Sequence, residues 1–184
     1  MKKIFFLLCV ISLFGSVYGQ VPGASIPVHL DLGIGVGASM PTGTLNNNDN
    51  TGLHVGTKLR LSGFMPLNVS GGLSYHRLPN KVGSSSDVIW MAGAGVEYPI
   101  PSILVKPYFG VDALFNSFSN TAANTKTFSR FGAGIGAGVS FAVPAFGDID
   151  ASVKYQLLNL AGKDPNEDAI SQISANISLM FSIL

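Results

Sequence analysis

Residues 131–141 read FGAGIGAGVSF, and Gly132, Gly134 and Ala137 match the G-x-G-x-x-G/A turn that cradles a dinucleotide phosphate. Residues 33–38, GIGVGA, repeat the match at Gly33, Gly35 and Ala38. The flanking residues decide what the motif means. In RFGAGIGAGVSFAV, Phe131, Ala133, Ile135, Ala137, Val139, Phe141 and Val143 share one parity, while Arg130, four glycines, Ser140 and Ala142 share the other. In VHLDLGIGVGASM, Val28, Leu30, Leu32, Ile34, Val36, Ala38 and Met40 alternate with His29, Asp31, three glycines and Ser39. Period two is the period of a pleated strand. A dinucleotide turn needs a helix N-terminus behind its glycines, and here the strand pattern runs on to Val143 and meets Pro144. Both runs are predicted strands whose second face is small.

The N-terminus constrains where such strands fold. MKKIFFLLCVISLFGSVYGQ starts with Lys2 and Lys3, continues with an apolar core from Ile4 to Phe14, and ends with small residues at Ser16 and Gly19. That layout is a secretory signal peptide, expected over residues 1–19 with cleavage near Gly19/Gln20. Cys9 lies inside the apolar core behind Leu8, which argues against a lipoprotein cysteine. Residues 20–184 are then a single domain without cysteine, carrying nine basic and ten acidic residues. Disulfide scaffolds and cysteine-held metals are excluded, and no basic excess points to nucleic acid.

Only 11% of the chain is charged, against about 25% in ordinary soluble domains. Past the signal, no apolar run approaches the roughly 20 residues of a membrane helix. A transmembrane β-barrel reconciles the two facts, because its strands need only about 9–11 residues and meet lipid at alternate positions. Alternation predicts eight antiparallel strands at 28–40, 53–65, 69–78, 88–98, 103–116, 127–143, 149–160 and 171–184. Their connections also alternate: 41–52, 79–87, 117–126 and 161–170 are long and polar, whereas the intervening turns are short and marked by Pro or Gly. This is the asymmetry of an up-and-down barrel with outer loops and inner turns.

The two faces have different expected roles. Outward aromatics fall at two levels, Tyr75, Trp90, Phe115 and Phe131 near the loops and Tyr98, Phe141 and Phe181 near the turns, as interfacial girdles do. Arg77 and Pro107 also take the outward parity; Pro107 is expected to mark a bulge and Arg77 to snorkel towards headgroups. The inward face carries Asp31, Lys58, Arg60, Glu97, Lys106, Asp112, Arg130, Asp150 and Lys154. Counting from the loops pairs Asp31 with Arg60, Glu97 with Lys106, and Asp112 with Arg130 on diagonals. Eight strands enclose only enough space for side chains, so the expected lumen is a plug of paired charges, with a narrow ion path as the alternative.

Other chemistry is sparse. His54 and His76 lie inward near the loops, and two histidines without a third ligand make a weak metal signal. A hydrolase built from His76, one of Ser84 to Ser86 and Asp87 can be drawn, but no G-x-S-x-G elbow accompanies it. NNNDN at 46–50 offers oxygen side chains without EF-hand spacing and reads as a flexible polar loop. No catalytic residue, cofactor or metal is assigned. A soluble lipocalin-like barrel, with its apolar face turned inward, is the structural rival.

With VHLDLGIGVGASM, RFGAGIGAGVSFAV and the closing SQISANISLMFSIL in view, the chain resembles the small outer-membrane β-barrel proteins. These form the outer membrane protein A and X superfamily, and the resemblance is strongest to the outer membrane protein β-barrel domain proteins of Gram-negative bacteria. It implies an outer-membrane location, contact with lipids and lipopolysaccharide, and delivery through the barrel-assembly machinery. That machinery reads a last strand such as Ile173, Ala175, Ile177, Leu179, Phe181 and Ile183, although a final aromatic is replaced by Leu184. The expected protein is a monomer with a structural or cell-surface role and with loops 41–52, 79–87, 117–126 and 161–170 open to an extracellular ligand. A lipid A or phospholipid-modifying enzyme is the alternative within the same superfamily.

Overall fold

The computed structural model describes residues 28–63, 66–101, 105–122, 126–143 and 147–183. The expected signal peptide lies outside the described residues. Eight strands follow one another around a closed barrel: β1 (His29–Gly43), β2 (Gly52–Ser62), β3 (Asn68–Pro79), β4 (Ser86–Pro99), β5 (Lys106–Asn120), β6 (Phe128–Val143), β7 (Gly147–Ala161) and β8 (Ile170–Ser182). Every pair is antiparallel, and β1 meets β8 to close the cylinder, with Val36 opposite Ile177 and Gly35 opposite Ser178. One helical turn, α1 (Leu45–Asn48), interrupts the first long loop.

The pleat sorts the side chains as the alternation predicts. Ile34, Val36, Leu53, Leu73, Val111, Ile135 and Ile177 are exposed on the outside, while Arg60, Glu97, Asp150 and Gln172 are buried inside. This polarity is inverted relative to a water-soluble barrel, which removes the lipocalin rival. Both glycine runs are strand throughout, in β1 and β6, so the dinucleotide match is a by-product of the pleat. At the turns, Gly147 has φ 102° and Gly43 has φ 60°, left-handed values open to a residue without a Cβ.

Several boundaries move. β1 continues to Gly43 because Thr42 and Gly43 still pair with Ser171 and Ile170, and β5 reaches Asn120 because it still pairs with Asp87. The first and third long loops are shorter than expected by those residues. Pro107 makes no bulge: Lys106, Pro107 and Tyr108 face Ser140, Val139 and Gly138 in unbroken register. It occupies the second position of β5, near the strand start where a missing N–H is tolerated. The register shift in the described ladders is elsewhere, where Phe131 and Ala133 face Ala161 and Leu157.

Candidate functional site

The lumen holds most of the chemistry, in layers. Nearest the short turns, Lys58 and Arg60 of β2 meet Glu97 of β4 and Asp150 of β7 in a closed ring of alternating charge. Lys58 Nζ lies 2.7 Å from Glu97 and 3.2 Å from Asp150, Arg60 Nε lies 2.7 Å from Glu97, and Arg60 Nη2 contacts Asp150 Oδ2. Tyr108 of β5 floors the ring. Lys58 donates to its hydroxyl at 2.9 Å, the hydroxyl donates to Asp150 Oδ1 at 2.9 Å, and both cations sit close over its ring, at 4.6 and 4.9 Å from the centroid. Glu97 is 1% exposed and Asp150 0%, so these charges are withdrawn from water and depend on one another. Above the ring, Lys154 reaches Asp112 at 2.6 Å.

A cavity of about 120 Å³ lies over these pairs, lined among others by Lys58, His76, Asp112, Lys154 and Gln156. Ligand pockets usually run to about 300–1,000 Å³, so this space is small for an organic substrate. His54 and His76 line it as well, and Ser39 bonds both. Its Oγ stands 3.0 Å from His54 Nδ1 and 2.7 Å from His76 Nδ1, and the rings stack at 4.7 Å. One hydroxyl proton serves one ring only, so the other imidazole donates its own Nδ1–H to Ser39. His54 Nε2 meets Asn176 Oδ1 at 3.2 Å and His76 Nε2 meets Ser74 Oγ at 2.8 Å, which occupies every ring nitrogen. No carboxylate among the described residues orients either ring. The drawn triad is not assembled either: His76 bonds Ser39 and Ser74, while Ser86 accepts from Arg77 and Asp87 from Asn120.

Nearest the long loops the lumen turns apolar. Leu78, Ile89, Met91, Leu114, Phe118 and Leu158 form a buried collar, with Leu45 of α1 and Ile170 packed on it. This second seal is absent from the expected lumen network. Its signal lay in the parity itself, because Ile89 and Met91 interrupt the alternation of DVIWMAG by being apolar on the inward side.

The expected diagonal pairs do not form. Asp31 stands directly opposite Arg60 in the ladder, but Arg60 turns to Glu97 and Asp150, and Asp31 makes no ion pair among the described residues. Glu97 takes the two β2 cations, and Lys106 lies at the rim, 3.5 Å from Asp148 and 65% exposed. Asp112 pairs with Lys154, because Arg130 points away to the fourth loop. There Arg130 donates to Glu167 at 3.0 and 2.6 Å and to Asp164 at 3.1 Å. Narrow closure lets a long side chain reach strands that are not its neighbours, which counting along one hairpin misses.

On the outside, Tyr75 and Trp90 pack edge to face at 5.0 Å, and Phe115 and Phe131 at 5.3 Å, near the long loops. Tyr98, Phe141 and Phe181 lie towards the turns, and Phe109, exposed and opposite Tyr98, joins them. Arg77 is exposed near the loops, with its Nε 3.3 Å from Ser86 Oγ.

The comparisons fit this geometry. Neisserial surface protein A is 22% identical over 83% of this chain and 97% of its own, with a TM-score of 0.61. A major outer membrane protein of Thermus thermophilus is 13% identical over 85% of this chain and 100% of its own, with a TM-score of 0.58. At these identities the likeness is one of fold. No curated protein matches the sequence significantly. The outer membrane protein β-barrel domain profile matches residues 6–181, nearly the whole chain. The chain therefore belongs to the outer membrane protein β-barrel domain family, and its place is the outer membrane.

Proposed function

We propose that this protein is a monomeric structural and cell-surface barrel whose lumen is sealed and whose loops present the contact surface. Residues 1–19 direct its export, the barrel-assembly machinery inserts it, and the aromatic levels around Trp90 and Tyr98 anchor it at the two lipid interfaces. The carrying observation is the pair of seals in series, a buried ring of four charges on Tyr108 and an apolar collar of six residues. Ser39, His54 and His76, which an enzyme would use, are turned into the lumen, away from lipid, and no carboxylate among the described residues orients either ring.

The test is a planar-bilayer recording of the refolded barrel, paired with mass spectrometry of lipid A and phospholipids from a deletion strain. Silent membranes and an unchanged lipid profile are expected. Steady unitary conductance would replace this reading with the pore, and a changed lipid profile restored by the wild-type chain but not by His76→Ala would replace it with the enzyme.

A further inference from the structure

The side chain of Asp49 is fully buried in the first extracellular loop, and neither of its carboxylate oxygens has an N–H or hydroxyl donor among the described residues; its side-chain partner is the Asp87 carboxyl. Backbone bonds hold it there. Asp49 N donates to Leu45 O at 3.0 Å, closing the turn of α1 while Leu45 packs on the apolar collar. Asp49 then forms a β-bridge with Asn80 of the second loop, flanked by Asn50 N to Pro79 O at 2.8 Å and Lys81 N to Asn48 O at 2.7 Å. The sequence NNNDN, expected as a flexible loop, is instead a folded turn strapped to its neighbour.

Acceptors surround the buried carboxylate. Asn80 Oδ1 is also buried and without a partner. Asp87, which opens the same hairpin on the β4 side opposite Leu78, faces Asp49. Burial first, then the charge of the neighbouring Asp87 carboxylate and the hydrogen bond between the two carboxyls, push the Asp49 carboxyl up from 3.8 to about 7. The Lys81 ammonium offsets this only in part, and its Nζ donates to Asn46 O rather than to the carboxylate. Asn120 gives its Nδ2 to Asp87, and its own Oδ1 is taken by Ala122 N at 2.7 Å.

A buried carboxylate without a donor is costly, and a second acid beside it raises the cost. The missing element is a positive charge that accepts several oxygens at once. The available donors are carboxylate and amide oxygens, without nitrogen or sulfur ligands, and among the described residues no third acid, histidine or cysteine joins them. Hard oxygen donors of mixed charge suit calcium, which tolerates irregular geometry and completes its shell of six to eight oxygens with water and backbone carbonyls. We propose that Asp49, Asp87 and Asn80 form a calcium site that clamps the first extracellular loop to the second at the barrel mouth.

The experiment uses the full barrel refolded in detergent, stripped of divalent ions and free of lipopolysaccharide, which binds calcium itself. Calorimetric titration with calcium chloride is expected to give one ion per barrel, with magnesium at least tenfold weaker. Asp49→Asn keeps the shape of the side chain and is expected to weaken calcium binding at least tenfold, and Asp87→Asn similarly. Calcium is also expected to slow trypsin cleavage after Lys81 several-fold in the wild type and not in either variant. Heat-dependent gel mobility verifies that each variant is a closed barrel. No calcium heat in the wild type, or equal binding by Asp49→Asn, overturns the site. A carboxyl titration near neutral pH, followed by carbon NMR and unmoved by calcium, overturns it in favour of a proton shared between Asp49 and Asp87.

Discussion

With 1% of its side chain exposed, Glu97 touches both cations of the lumen ring, Lys58 and Arg60. Removing it leaves two buried positive charges sharing Asp150 alone. Glu97→Ala is therefore expected to destabilise the barrel by about 3–5 kcal/mol, measured as a lowered urea midpoint in lipid vesicles. Glu167 makes the opposite kind of case, at the surface. Hydrogen bonds from Arg130 lead, against a smaller burial effect, and Asn159 and the Asp164 amide add to them, holding its carboxyl down from 4.5 to about 2. A depressed carboxyl contributes stability that is complete above its unfolded value and fades as pH falls towards its folded one. The fourth loop is thus expected to stay ordered above about pH 4.5 and to loosen between there and about pH 2. Amide exchange of residues 162–169 as a function of pH measures this; uniform protection down to pH 2 would disprove the Arg130–Glu167 tie. The inward parity of Glu97 was legible in the sequence, but its partners were not, because they come from β2 rather than from the adjoining hairpin strand β5.

At the scale of the strand, the glycines of β6 acquire a specific use. A Cβ on Gly138 would collide with the Tyr108 ring, one on Gly136 would press on Lys154, and one on Gly134 would lie 3.5 Å from both Asp112 and Gln156. Half of a strand is kept small so that long residues from other walls can occupy the lumen. Gly138→Val is expected to lift Tyr108 off Asp150 and cost about 1–3 kcal/mol through overpacking. Outward Ala137→Val, one residue away, serves as the control and is expected to change the urea midpoint little. That β6 is a strand, and which of its faces is apolar, followed from alternation alone. That Arg130 leaves this lumen for the fourth loop did not follow, since parity gives the side of the wall and not the direction in which an end residue leans.

For the whole molecule, the two seals act in series. Glu97→Ala disturbs the ring near the turns and leaves Leu78, Ile89, Leu114 and Leu158 packed near the loops, so its bilayer recordings should stay as silent as those of the wild type. Conduction by this single variant would mean that the collar opens once the ring is loosened. The number of strands, their up-and-down order, the outward apolar face and the inward charges are all written in the local order of residues. All of these depend on a local period of two residues and on the difference between long polar loops and short turns. Which charges meet, where the apolar collar sits, and that Asp49 is buried rather than solvated emerge with the folded barrel. Those depend on closure, because curling eight strands into a narrow cylinder brings β2 within reach of β7 and lays the first loop over the mouth, contacts between residues far apart along the chain.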